Sequence, residues 1–175
     1  FEVAMGAHYR CAVASARVGL PEVTLGLLPG AGGTQRSPRL AGVEAAMNLM
    51  SSGTPIPAAQ AARIGLIDKV VDGDLREGAL AWAQELLDSG TKPRRSTEQP
   101  IADHDAGIFD EYRAMLARKA RGQIAPQYIV DCVEGATQLS VADGMQLERA
   151  KFKELMDGEQ SAAMRHVFFA ERAAA

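Results

Sequence analysis

The feature that most constrains the fold is a glycine-rich turn that joins an extended stretch to a helix. Its sequence is LPEVTLGLLPGAGGTQR, residues 20–36. Pro21 disfavours a helical backbone at Leu20, so we expect Glu22 at the end of an extended segment. Glycines in the turn of residues 29–33 let the backbone bend sharply, and the helix after it presents free N–H groups and a positive dipole end. An acid that faces such a helix end, among apolar residues, indicates proton-transfer chemistry.

Composition narrows the class of protein. The 175 residues are 47% hydrophobic and 23% charged, which is ordinary for a soluble globular protein with one sizeable core. The formal charge of −3 gives no reason to expect nucleic acid or an anionic membrane as partner. No apolar run approaches the ~20 residues of a membrane span. Cys11 and Cys132 have no metal-type spacing and no disulfide density, so we expect a reducing, cytoplasmic location and no metal.

The chain divides into three regions. Residues 1–88 have an α/β pattern, residues 89–104 form an exposed connector, and residues 105–175 are helical. The sequence begins at Phe1, without an initiating Met and in what resembles the middle of a helix. We therefore expect it to be a piece of a longer polypeptide.

In the α/β region, apolar periodicity predicts alternating short elements. We expect a short, buried helix over residues 2–7 and an amphipathic helix over 75–87. Glycines at 42, 53 and 65 are the expected helix ends. The remaining elements are strands at 8–15, 17–20 and 66–71, and helices at 34–53 and 58–64.

In the helical region, two apolar faces come first, and two further helices follow. Ile108, Tyr112, Met115 and Leu116 define the first face, and Ile129, Val133 and Ala136 define the second. We expect the last two helices at 141–156 and 161–172, with a break at Asp157-Gly158. Phe168 and Phe169 on the final helix are predicted to lie in the core or in an interface.

Several segments together resemble the crotonase (enoyl-CoA hydratase/isomerase) family. That family has two catalytic glutamates twenty positions apart, which is the separation of Glu2 and Glu22. The resemblance is closest to the crotonase part of multifunctional fatty-acid β-oxidation enzymes and weakest over residues 89–121. It implies the C-terminal part of a crotonase-type ββα spiral, followed by an all-helical region. The matching segments are EVAM at 2–5, LPEV at 20–23, LLPGAGGTQR at 27–36, SG at 52–53, the helix at 58–64, GLI at 65–67 and DGMQLE at 143–148.

The resemblance also implies roles for individual residues. Glu2 would orient and deprotonate a water, and Glu22 would deliver a proton to C2 of a 2-enoyl-CoA. Glu22 alone could shuttle a proton between C2 and C4 in Δ3-Δ2 isomerisation. The backbone N–H of Gly30 would help to hold the water. Pro21 and Leu27 would contact the substrate, and Leu28 would join Leu27 in the acyl pocket.

The resemblance also has implications for the donors to the thioester oxygen and for the partners of the chain. Both backbone N–H donors to the thioester oxygen would lie upstream of Phe1. We therefore expect the isolated chain to be inactive and to expose apolar surface. Acyl-CoA would be the substrate, and NAD would matter only if a 3-hydroxyacyl-CoA dehydrogenase domain follows. A homo-oligomer and docking onto such a domain both stay open.

Each feature also has a plainer interpretation. Glu2 could stabilise a helix dipole, and Glu22 could be a solvated turn residue. The glycine turn could be a simple connection; it is not a dinucleotide fingerprint, because Gln35 stands where the last small residue is needed. The three histidines are scattered, and the serines lack a paired base. Basic residues at 92, 94, 95, 118, 119 and 121 fit a solvated face better than a phosphate site.

Two classes of function therefore remain. The first is a 2-enoyl-CoA hydratase within a larger multifunctional enzyme of fatty-acid β-oxidation, with Δ3-Δ2-enoyl-CoA isomerisation as an open second activity. The second is a non-catalytic module, in which the helical region mediates assembly or docking of a neighbouring domain. Retention of both glutamates favours hydration over the other reactions of the family.

Overall fold

A computed structural model describes residues 1–174. Helices predominate, and the strands are short. Two 3-10 helices lie at Pro21–Leu25 and Ser96–Glu98. The strands are β1 (Cys11–Val13), β2 (Arg17–Val18), β3 (Ile56–Pro57) and β4 (Lys69–Val71). The helices are α1 (Glu2–Met5), α2 (Gly33–Ala41), α3 (Val43–Ser52), α4 (Ala58–Arg63), α5 (Leu75–Asp88), α6 (Ile108–Lys119), α7 (Ala125–Gln138), α8 (Val141–Asp157) and α9 (Glu159–Ala174).

The strands form two separate pairs. β1 runs parallel to β4, with Cys11 opposite Lys69 and Val13 opposite Val71. β2 runs antiparallel to β3, with Val18 opposite Ile56. The predicted strands at 8–15, 17–20 and 66–71 are thus correct in place but too long. The apolar–polar alternation of the sequence is longer than the segments that pair with a neighbouring strand.

Glycines end the helices where the sequence predicts. Gly42 separates α2 from α3 with a φ of 83°, and Gly53 follows α3 with a φ of 62°. Gly65, at a φ of 84°, follows α4. A left-handed backbone of this kind costs glycine nothing, whereas a side chain would strain it.

Helix α7 forms the centre of the molecule. It packs against α2, α3, α6 and α8. Ile129 and Val133, predicted to share an apolar face, are fully buried there, and Ala136 is buried as well. One hydrophobic core joins residues of the α/β region, such as Met47, to residues of the helical region, such as Leu155.

Two helices are less buried than expected. The prediction of a buried helix at residues 2–7 is wrong: α1 is shorter, and Val3 is 93% exposed. The amphipathic helix α5 forms as predicted but has no fully buried residue, and Leu87 is 74% exposed. The reason is that α5 packs mainly against the narrow β1–β4 pair, and Trp82 meets Tyr9, just before β1, edge to face.

The segment at 89–104 is exposed only in part. Ser96 is buried, and its hydroxyl donates to the carbonyl of Met5 at 2.7 Å. Arg94, expected on a solvated face, forms an ion pair with Asp68 instead. The segment is therefore attached to α1 and to the β1–β4 pair.

The last two helices lie close to their predicted positions, with Gly158 between them. Phe169 is 66% exposed, so it does not lie in the core. Its location in an interface, the other predicted possibility, stays a prediction. Within residues 1–174, no helix combines the length and the apolar character that a membrane crossing requires.

Candidate active site

The glycine-rich turn meets α2 in a conformation that only glycines permit. Gly32 has a φ of 93°, in the left-handed region, and it precedes the first residue of α2. A Cβ atom on Gly33 would lie 2.7 Å from Oε1 of Glu2, closer than real carbon–oxygen contacts. The missing side chains therefore let a carboxylate approach the backbone at the start of a helix.

Glu2 occupies that position. Its Oε1 accepts hydrogen bonds from the N–H of Ala31 at 2.8 Å and from the N–H of Gly33 at 2.7 Å. Charged acceptors at a helix N-terminus are favoured by the positive end of the helix dipole. One oxygen of Glu2 is thus fixed by the turn, and its other oxygen, Oε2, is available to a further partner.

Glu22 is in a contrasting environment. Leu20 is non-helical, as expected before a proline, with φ −129° and ψ 82°. The prediction that Glu22 ends an extended segment is wrong, because Glu22 lies within the first 3-10 helix, which begins at Pro21. Oε2 of Glu22 is buried and has no hydrogen-bond partner among the described residues. Burial raises the pKa of Glu22 above its ordinary value, and the charge of Glu2 raises it further.

The two glutamates of the predicted pair are electrostatically coupled. The charge of Glu2 contributes to the raised pKa of Glu22, after the larger effect of burial. Glu2 accepts hydrogen bonds from two backbone N–H groups, whereas burial of Glu22 favours its protonated form. Two carboxyl groups in such different environments can serve as base and acid at one site.

The other predicted site residues differ in exposure. Leu27 and Leu28 are buried in the core, and Pro21 is exposed. Gly30 is exposed, and no described residue accepts a hydrogen bond from its N–H. The ring of Phe152 packs so closely that a Cβ on Gly30 would lie 2.5 Å from it. The N–H of Gly30 is thus the donor of the turn that stays open to a ligand.

A further acidic residue at the turn was not predicted as a site residue. Glu148 on α8 is 1% exposed and contacts the turn from the side of the helical region. Its Oε1 accepts from the N–H of Gly32 at 2.7 Å, and its Oε2 accepts from the N–H and hydroxyl of Thr34 at 3.0 and 2.5 Å. Burial raises the pKa of Glu148, while these donors act against that rise because they favour the ionised form.

The spacing of residues around Glu148 is a sequence signal for its burial. Met145, Glu148 and Phe152 are spaced three and four residues apart, so they share one face of a helix. An acid in the middle of an apolar helix face needs donors from elsewhere in the fold. Those donors are more than a hundred residues away in the chain, so periodicity alone could not name them.

Comparisons with known proteins identify the family. The sequence profile of the enoyl-CoA hydratase/isomerase family matches residues 1–104. The peroxisomal bifunctional enzyme of Cavia porcellus is 43% identical over 176 residues, which cover 99% of this chain and 24% of that protein. The fatty acid oxidation complex subunit alpha of Shewanella halifaxensis is 37% identical over 180 residues, covering 97% of this chain and 25% of that subunit. This chain thus spans about a quarter of the length of these relatives.

A solved structure shares the fold. The carnitinyl-CoA hydratase from Mycobacterium avium superposes with a TM-score of 0.60 and is 26% identical, covering 97% of this chain and 54% of that one. The resemblance inferred from the two glutamates and the glycine turn is therefore confirmed. The chain belongs to the enoyl-CoA hydratase/isomerase family, with the crotonase fold.

Proposed function

We propose that this chain provides both catalytic carboxyl groups of an enoyl-CoA hydratase in fatty-acid β-oxidation, as part of a larger multifunctional protein. The names of the two relatives, a bifunctional enzyme and a subunit of a fatty acid oxidation complex, support the setting. The observation that carries the proposal is the contrast between Glu2, hydrogen-bonded at the turn, and Glu22, whose Oε2 is buried without a hydrogen-bond partner among the described residues. Acyl-CoA is the substrate, and the hydration needs no separate cofactor.

In this reaction a water lies between Oε2 of Glu2 and the N–H of Gly30. Glu2 removes one proton from the water as its oxygen bonds to C3 of the enoyl thioester. The π electrons move toward C2 and the thioester oxygen, and C2 takes a proton from Glu22. Water is thereby added across the double bond, and proton exchange with solvent restores both glutamates. General acid and base catalysis of this kind contributes about 10²–10⁴-fold to the rate.

Isomerisation of a 3-enoyl-CoA requires less of the site. One group removes a proton from C2 and returns it to C4, and no water is consumed. We assign this role to the ionised form of Glu22, whose Oε2 has no hydrogen-bond partner among the described residues. Glu2 has no proton to move in this reaction.

The test is a pair of glutamine variants in the intact protein that carries this chain. Glu2→Gln and Glu22→Gln are each expected to lower hydration of a 2-enoyl-CoA by about 10²–10⁴-fold. Isomerisation of a 3-enoyl-CoA is expected to depend chiefly on Glu22. Glu111→Gln, at an exposed position on α6, is the matched control and should leave both rates unchanged. Full hydration activity in both glutamine variants would refute the proposal.

The alternative is a non-catalytic role in assembly or in docking of a 3-hydroxyacyl-CoA dehydrogenase domain, the one partner that would require NAD. Exposed apolar residues on α9, among them Phe169, are compatible with such an interface. A scaffold has no use for two neighbouring carboxyl groups in different states, so the double glutamine variant separates the two roles. The cytoplasmic location stays a prediction, since it depends on two isolated cysteines.

A further inference from the structure

Four successive N–H groups at the glycine turn are shared alternately between two carboxylates. Glu2 binds the N–H groups of Ala31 and Gly33, and Glu148 binds those of Gly32 and Thr34. The two acids come from α1 and from α8, on opposite sides of the turn. Because the donors alternate, neither carboxylate can move without a change in the backbone that holds the other.

One face of α8 covers the turn beyond this hydrogen bonding. A Cβ on Gly32 would lie 2.8 Å from Cε of Met145, and a Cβ on Gly30 would lie 2.5 Å from the ring of Phe152. Glu148 lies between these two residues on the same face. Helix α8 therefore contacts the turn along its length, from the open N–H of Gly30 to the start of α2.

Buried polar groups fix the Glu148 carboxylate in turn. The hydroxyl of Thr34 donates to Glu148 and accepts from Nε2 of Gln35 at 3.1 Å. The same Nε2 donates to the carbonyl of Cys132 on α7 at 3.1 Å. Thr34 and Gln35 are fully buried, so no solvent can replace these partners.

We propose that Glu148 is a positioning residue for the water-activating half of the site, acting through the backbone of residues 31–34. This inference rests on the proposed hydration activity. Without the Glu148 carboxylate, the N–H groups of Gly32 and Thr34 lose their acceptors in a buried environment, and the turn relaxes to satisfy them. Glu2 is bound to the intervening N–H groups, so its carboxylate moves with the turn.

Glu22 is held differently, and this difference makes the inference testable. Its 3-10 helix is connected to the core through buried Val23 and not through the N–H groups of the turn. Loss of Glu148 therefore disturbs Glu2 and the N–H of Gly30 while Glu22 keeps its place. A residue that only stabilised the fold would affect both halves of the site equally.

The experiment compares two reactions of Glu148→Gln in the intact protein. In this variant an NH2 group replaces one carboxylate oxygen. It faces backbone N–H groups that donated hydrogen bonds to that oxygen. The kcat of hydration is expected to fall about 10- to 100-fold, the range for misplacement of a catalytic group by about 1 Å, with little change in KM. Isomerisation, which needs Glu22 but no activated water, should fall much less. If the wild type does not isomerise, solvent exchange of the C2 protons of a saturated acyl-CoA gives the same Glu22-dependent readout.

A second pair of variants covers the case in which Glu148→Gln does not fold. Thr34→Val removes one donor to Glu148 and keeps the side-chain shape, whereas Thr34→Ser keeps the hydroxyl. Thr34→Val should lower the ratio of hydration to isomerisation, and Thr34→Ser should lower it less. Glu111→Gln again serves as the exposed control.

The outcomes separate the two proposals. A wild-type protein without hydratase activity would refute the proposed function. Normal wild-type hydration, with both reactions equally reduced or equally unchanged in Glu148→Gln, would overturn the positioning role and leave the proposed function standing. An unchanged ratio of hydration to isomerisation in Thr34→Val would likewise overturn the positioning role.

Discussion

Replacing Gly144 by alanine tests how tightly α8 packs on the glycine turn. Gly144 lies within α8, where alanine is favoured over glycine by about 1 kcal/mol on helix propensity. A Cβ at this position, however, would lie 2.1 Å from Oε1 of Gln35, and Gln35 is fully buried. Propensity and packing therefore predict opposite signs for the change in the free energy of unfolding.

The structure indicates that packing dominates. To make room, Gln35 has to move and give up the hydrogen bonds from its Nε2 to Thr34 and Cys132. Each such bond stabilises the fold by about 1 kcal/mol, and overpacking costs about 1–3 kcal/mol. After the gain from propensity, we expect Gly144→Ala to lower the free energy of unfolding by about 2–4 kcal/mol. For a chain of this size, that corresponds to a fall in Tm of roughly 5–15 °C.

The assay is urea and thermal unfolding of four proteins: the wild type, Gly144→Ala, Gln35→Ala and the double variant. In the Gln35→Ala background the obstructing side chain is absent, so Gly144→Ala should stabilise by up to about 1 kcal/mol. The effect of one substitution thus changes sign with the other. Stabilisation by Gly144→Ala in the wild-type background, or equal effects in both backgrounds, would refute this account of the packing.

Two further predictions concern the site itself. Because the pKa of Glu22 is raised in the folded protein, its contribution to stability is present below its ordinary value of 4.5 and is lost as the pH rises through the raised value. At neutral pH, Glu22→Gln should therefore be more stable than the wild type, and urea unfolding across pH should show the difference vanish in acid. Gly30→Ala should clash with Phe152, lowering stability by about 1–2 kcal/mol and reducing hydration. In a Phe152→Leu background, Gly30→Ala should lower stability less. Purely additive effects of the two substitutions would contradict the contact between these residues.

Local sequence was sufficient for the features that depend on neighbouring residues. Pro21 predicted the non-helical backbone at Leu20, and the glycines at 42, 53 and 65 predicted the helix ends. The proximity of Glu2 to the glycine turn came from the family resemblance and not from periodicity. The assignment of catalytic roles to Glu2 and Glu22 remains a prediction until the variants are assayed.

Features that depend on distant partners could not be predicted. Burial of Glu148 is made possible by donors 114 and 116 residues earlier in the chain. The apolar side of α5 is evident from its sequence, yet the pattern does not say that the neighbouring sheet is too narrow to cover it. Exposure of Leu80 and Leu87 is decided by that tertiary arrangement.

The division of the turn between Glu2 and Glu148 has a consequence for biosynthesis. A ribosome delivers residues 31–34 long before residue 148, and contacts across such a separation form late because a large loop must close first. Nascent chains that stop before residue 148 would carry both glutamates of the pair but only one of the two carboxylates that accept from the turn. The N–H groups of the turn thus gain their full set of acceptors only after α8 has been synthesised.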